Sequence, residues 1–337
     1  MKRLKPGGSR ARLFALGWLV SAGMLASGGQ AWASGPATSC TAPFAGNATE
    51  IVVPGGALCI LEAGATVEKS VKVEPGGSLI VEGASIGKDL KANSPAGIQI
   101  GGSKQTLIGH DVQINGLTGQ IGLGDNYICN AKIGHDLHAE HSVLTAAKLV
   151  VGDAPDCSAG VLVGHDIHVQ SNANSVDVSS SSAGHDIHVE NNTAGVKVSG
   201  TTAVHDLHVQ NNSGGVLVSF NKAGHNATCQ NNLPSTEGEG NTQNKGQPHG
   251  CPTPPAPPSV KKVSPDKGPV TGGTPVTITG TGFTGAEVVK FGSSEAGGVK
   301  VVSDTTITAT SPAGVGSVTI SVKTPYGTGS GGHFEYK

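Results

Sequence analysis

Histidine and aspartate recur in this chain at positions that could bind a cation or move a proton. Of its 13 histidines, 11 fall between His110 and His225. The clearest copies read Gly164-His165-Asp166-Ile167-His168-Val169-Gln170, Gly184-His185-Asp186-Ile187-His188-Val189-Glu190 and Val204-His205-Asp206-Leu207-His208-Val209-Gln210. Two histidine rows follow, His110/His135/His165/His185/His205/His225 and His138/His168/His188/His208. Between them runs Asp89/Asp111/Asp136/Asp166/Asp186/Asp206. Imidazole and carboxylate on neighbouring rungs are ligands for zinc, copper or nickel. The metal candidates read from the sequence are His138, His168, His188 and His208 with Asp136, Asp166, Asp186 and Asp206. The competing reading needs no cofactor: a solvated ladder in which Asp accepts turn amides and neutral His stacks on its neighbour. A third reading is a glycan-active protein that sets carboxylates in a cleft. Against it, the carboxylates recur identically, whereas an active site breaks a repeat at one place. No catalytic residue is assigned. His138-Ala139-Glu140-His141 has the wrong spacing for a zinc protease, and no phosphate-binding loop occurs.

The elements that hold these residues follow from the spacing. Anchors at 88, 110, 135, 165, 185, 205 and 225 are 20 to 30 residues apart, near 20 in the last four. A period near 20 with in–out alternation predicts one coil of a parallel β-solenoid per repeat. Ile187 and Val189 alternate with Asp186, His188 and Glu190, and a second short strand alternates Val196 and Val198 with Lys197 and Ser199. Stacking then makes each position a row at a rise of about 4.8 Å per coil. Leu90, Val112, Leu137, Ile167, Ile187, Leu207 and Ala227 form one inner row. Asn172, Asn192, Asn212 and Asn232 form a structural row at the turn. Parity turns the first histidine row inward, yet Lys88 shares its position, which places that row at an exposed corner. Right-handed winding is expected because parallel crossovers prefer that hand.

Export is expected from the N-terminus. Lys2, Arg3 and Lys5 precede an apolar run from Leu13 to about Ala26, and Ala31-Trp32-Ala33 supplies a small-x-small cleavage site. Residues 1–33 are therefore read as a signal peptide, and the protein as secreted, periplasmic or on the surface of a bacterium. With the leader gone, 17 lysines face 24 acidic residues and no arginine or tryptophan remains. Those features argue against nucleic acid as a partner, and leave a surface glycan or protein. No later stretch is apolar enough to span a membrane. Six cysteines in an exported chain favour disulfides, and architecture suggests neighbour pairing: Cys40–Cys59, Cys129–Cys157 and Cys229–Cys251.

The expected plan is an all-β chain: a cap over 34–66, a β-helix over 67–232 and a Pro/Gly-rich linker over 233–258 ending Cys251-Pro252-Thr253-Pro254-Pro255-Ala256-Pro257-Pro258. Beyond it stand Ser264-Pro265, Gly272-Gly273-Thr274-Pro275-Val276-Thr277-Ile278-Thr279-Gly280-Thr281-Gly282-Phe283, Val289-Lys290-Phe291-Gly292, Gly316-Ser317-Val318-Thr319-Ile320-Ser321-Val322 and a closing Phe334-Glu335-Tyr336. These residues over 259–337 resemble the IPT/TIG family of immunoglobulin-like domains. The resemblance implies a β-sandwich serving as a spacer or interaction module. Short Val/Ile/Thr strands between Gly/Pro turns agree with it. The parts combine into an exported, non-enzymatic structural, adhesive or binding protein.

Overall fold

The computed structural model describes residues 36–337 apart from 120, 123, 144, 145, 156 and 158. The expected leader lies outside the described residues. Every described element is a strand.

Each coil contributes strands to three parallel sheets, which gives the solenoid three faces of 10, 9 and 10 strands. The first face carries the histidine motifs, with strands such as Leu137–Glu140, Ile167–Gln170, Ile187–Glu190 and Leu207–Gln210. The second includes Val176–Ser179, Val196–Ser199 and Val216–Ser219. The third consists mostly of two-residue strands, such as Ser182–Ala183 and Thr202–Ala203, which lead directly into the Gly-His corner.

The register places the repeats as the sequence predicts. Leu90 pairs with Val112, then Leu137, Ile167, Ile187, Leu207 and Ala227 in unbroken succession. All seven are buried in one apolar core. Their alternates face outward, so His138, His168, His188 and His208 pair in a line across the first face. Burying β-branched side chains on a pleated surface fixes this register, because a one-residue slip would turn the whole apolar set to solvent.

Asparagine closes two corners of the coil. Asn172, Asn192, Asn212 and Asn232 are buried, more deeply than a turn row requires. Each side-chain oxygen from Asn192 onward accepts the backbone N–H and the side-chain N–H of the asparagine one coil earlier. Each side-chain nitrogen also donates to a strand carbonyl, as Asn192 does to Val169 at 3.0 Å. A second ladder, unread in the sequence, links Thr201, Asn221 and Asn241 at the next corner. Both corners thus satisfy backbone groups that a sharp bend inside a core would orphan.

The solenoid extends beyond the expected limits at both ends. Thr38–Ser39 already pairs with the strand Ile51–Val53, so the segment expected as a cap forms coils. At the other end Thr242–Gln243 pairs with Lys222–Ala223, and Thr228 bridges His249. Composition concealed this last coil, since residues 233–251 offer few apolar side chains. Asn241, backbone pairing and the Cys229–Cys251 bond hold it instead. The disulfides are Cys40–Cys59, Cys129–Cys157 and Cys229–Cys251, as neighbour pairing requires.

The C-terminal sheets are largely antiparallel. Ser259–Ser264, Pro275–Thr281, Thr306–Thr310 and Gly297–Ser303 form one; Gly327–Tyr336, Gly316–Thr324 and Val288–Phe291 build most of the other. Between them lie Val276, Ile278, Phe283, Val289, Ile307, Ile320 and Val322. Phe334 contributes edge-to-face contacts with Phe291 and Tyr336 at 5.2 and 5.0 Å.

Candidate functional site: the histidine–aspartate ladder

The first histidine row stands at the corner between the third and first faces, where the third-face strand turns through Gly-His-Asp into the next. Its rings are well exposed, from 57% for the His110 side chain to 37% for His185. They stack face to face along the solenoid: His110–His135, His135–His165 and His165–His185 have centroids 4.9, 5.0 and 4.8 Å apart. Each ring lies within 7° of parallel to the next. The next ring, His205, approaches His185 to 4.2 Å and tilts by 44°.

The aspartate row lies just inside these rings. Asp166 Oδ1 accepts the backbone N–H of Asp186 at 2.8 Å, and the same bond recurs from Asp89 to Asp206. Nδ1 of His185 sits 3.1 Å from Asp166 Oδ1 on the preceding coil and 3.1 Å from its own neighbour Asp186 Oδ2. His165 repeats this with Asp136 and Asp166, both at 3.1 Å, and His135 with Asp111 and Asp136 at 3.2 and 3.0 Å. Each of these Nδ1 atoms therefore lies between two carboxylates.

The second row is more sheltered, its side chains 32, 21, 23 and 25% exposed at His138, His168, His188 and His208. Nε2 of each lies 3.8 to 3.9 Å from the Oδ2 of the aspartate two residues earlier. The other nitrogen faces the residue two positions on: Glu140 and Glu190 in two coils, Gln170 and Gln210 in the others. One coil earlier, Gln113 takes this row's place and donates to Asp111. Lys91 does so in the coil before, 3.1 Å from Asp89. Imidazole is therefore not required at this place in the coil.

Charge follows this geometry. Burial pushes the Asp166 carboxyl up, but the Asp186 amide, His165 and His185 outweigh it and hold the group below its ordinary range. Burial likewise opposes the shift at Asp89, where Lys91 and the Asp111 amide prevail and lower it. Half-burial first, then the neighbouring His188 and His138, push the His168 imidazole down against the pull of Asp166 and Asp136.

Donor atoms converge on the corner. Ligating atoms of His110/Asp111/His135, His135/Asp136/His165, His165/Asp166/His185 and His185/Asp186/His205 lie within 4.8 Å of one another in each set. Asp136, Asp166 and Asp186 thus belong to clusters with histidines of the first row, which sequence reasoning left out of the metal set. The adjacency His-Asp in every copy was the available signal.

The fold defines this protein as a parallel β-solenoid followed by a β-sandwich. Residues 258–336 match the IPT/TIG domain family, so the C-terminal sandwich is an IPT/TIG domain. No curated protein matches the chain. Among the described residues, no helix is long and apolar enough to cross a membrane.

Proposed function

We propose that this protein is an exported, non-enzymatic bacterial rod whose IPT/TIG domain engages a glycan or protein partner. The observation that carries the reading is the sameness of the coils. From His135 to His185 each imidazole meets carboxylates on its own and the preceding coil in repeated geometry, and the aspartate-to-amide bond continues to Asp206. Catalysis needs one place where nucleophile, acid and base differ from their surroundings. Stacking instead demands repetition, and a stiff backbone ladder is what repetition yields. A groove of about 380 Å³ along the second face is lined by Lys148, Asp177, Lys197, Leu217 and Glu237. There Oδ2 of Asp177 is paired with Lys148 and Lys197 at 3.0 and 3.2 Å.

Three disulfides suit an oxidising compartment, as does the leader pattern of residues 1–33. Fractionating cells that express the tagged chain tests the reading, with the chain lacking residues 258–337 run beside it. The full chain is expected outside the cytoplasm, and its retention on cells or envelope is expected to fall when the sandwich is removed. A cytoplasmic product, or new unsaturated ends in a uronic-acid polymer incubated with the chain, would overturn it.

A further inference from the structure

We propose that the corner histidine column binds divalent transition-metal ions of the zinc class through its Nε2 atoms, one ion held between rings of adjacent coils. The proposal begins with a proton. A carboxylate only accepts, and Nδ1 of His135, His165 and His185 each faces two carboxylate oxygens at 3.0 to 3.2 Å. His110 is held in the same way by Asp89 and Asp111, both at 3.2 Å. In the neutral ring, Nδ1 must therefore carry the hydrogen, which leaves Nε2 a bare lone pair. The two nitrogens of an imidazole diverge, so Nε2 points away from the aspartates and toward the exposed side of the corner. Among the described residues, no protein group hydrogen-bonds Nε2 in these four rings.

This is the carboxylate–histidine arrangement that orients an imidazole for a metal and raises its basicity. It occurs here four times in a row with nearly parallel rings. Two Nε2 atoms bound to one tetrahedral zinc ion at about 2.1 Å each are about 3.4 Å apart. The centroids of the parallel rings stand 4.8 to 5.0 Å apart, so each ring tip must lean toward its neighbour by about 0.7 to 0.8 Å to reach that separation. The centroids of His185 and His205 already close to 4.2 Å with a 44° tilt, so a corner ring can leave the parallel stack toward its neighbour. Water would complete the ion's shell on the open side.

The second row is the poorer donor. Where the Gln170 and Gln210 amide nitrogens face Nδ1 of His168 and His208 at 3.1 Å, that nitrogen accepts and the proton moves to Nε2. The rings there are also less exposed. The assignment is thus to His110, His135, His165 and His185 as ligands, with Asp111, Asp136 and Asp166 as positioning residues. It stands apart from the rod reading, and its failure would leave that reading untouched.

Calorimetric titration of the untagged, oxidised chain with zinc tests it, with three variants beside the wild type. Wild-type protein is expected to bind zinc in the micromolar range. His165→Gln with His185→Gln should remove at least one equivalent, while His168→Gln with His208→Gln should leave the isotherm unchanged. Asp166→Asn should weaken binding at that rung by about 10- to 100-fold, because the amide presents an N–H to a ring that needs an acceptor. A metal-free ¹H–¹⁵N imidazole spectrum should show the Nδ1–H form for the corner rings, and circular dichroism checks that each variant remains folded. Absence of zinc binding by the wild type would overturn the proposal. So would an unaltered isotherm in the folded corner variant, or equal loss in the second-row variant.

Discussion

Replacing Asn192 with alanine tests the claim that hydrogen-bonded corners hold the coils together. The side-chain oxygen of Asn192 takes two N–H groups of Asn172, the backbone amide and the side-chain amide, each at 3.0 Å. Its nitrogen donates to the Val169 carbonyl at 3.0 Å and to Asn212 Oδ1 at 2.9 Å. Alanine removes all four bonds and leaves two buried N–H groups of Asn172 without an acceptor. At about 1–3 kcal/mol for each orphaned group, the loss centres on about 4 kcal/mol. A control lies one residue away. Asn191 is exposed and holds φ at 57°, a conformation glycine adopts freely, so Asn191→Gly should stay within about 0.5 kcal/mol. Guanidinium unfolding followed by far-UV circular dichroism, with wild type and both variants side by side, gives the comparison. A shift for Asn192→Ala no larger than that for Asn191→Gly would refute the reasoning.

Other outcomes follow from the same structure. Changing Cys229 and Cys251 together to serine opens a closure 22 residues apart in sequence, so it should cost about 3 kcal/mol on the chain-entropy estimate. Limited proteolysis should then cut within 233–251 before any other part of the solenoid. In the oxidised wild type, cleavage should fall instead between Pro252 and Pro258, which separates two resistant fragments by mass spectrometry. Acid should weaken the solenoid in two stages. His168 is held below its free value of 6.5, so its contribution is complete above that pH and is lost as pH falls through the lower folded value. Asp166, also held low, contributes fully above 3.8 and loses its share as pH falls through its folded value. His168→Gln should flatten the first stage of the melting-temperature profile and leave the second.

Much of the solenoid was legible because a 20-residue period makes each side chain predict its neighbours. Once Ile167, Ile187 and Leu207 align, the facing of His168, His188 and His208 follows by parity. Lysine at position 88 was enough to place the first histidine row at an exposed corner. The third face was illegible, because strands as short as Ser182–Ala183 have no alternation to detect. The Thr201–Asn221–Asn241 ladder was present every 20 residues, but its last member lay in a stretch whose polar composition reads as linker. That is also why the last coil was assigned to a spacer: its stability comes from amides and a disulfide, and hydropathy is blind to both. Which nitrogen of each histidine meets a carboxylate depends on ring orientation at the corner, which no periodicity encodes.

The most direct test of the central claim, an exported solenoid rod carrying an IPT/TIG domain, is a non-reducing peptide map of the native protein from its producing cells. The account predicts a mature N-terminus at Ser34 and three bonds, Cys40–Cys59, Cys129–Cys157 and Cys229–Cys251, with no free thiol. A chain that keeps Met1 and free cysteines would contradict export. A bond from Cys40 to Cys229 or Cys251 would contradict the linear solenoid, whose first and last coils those residues occupy.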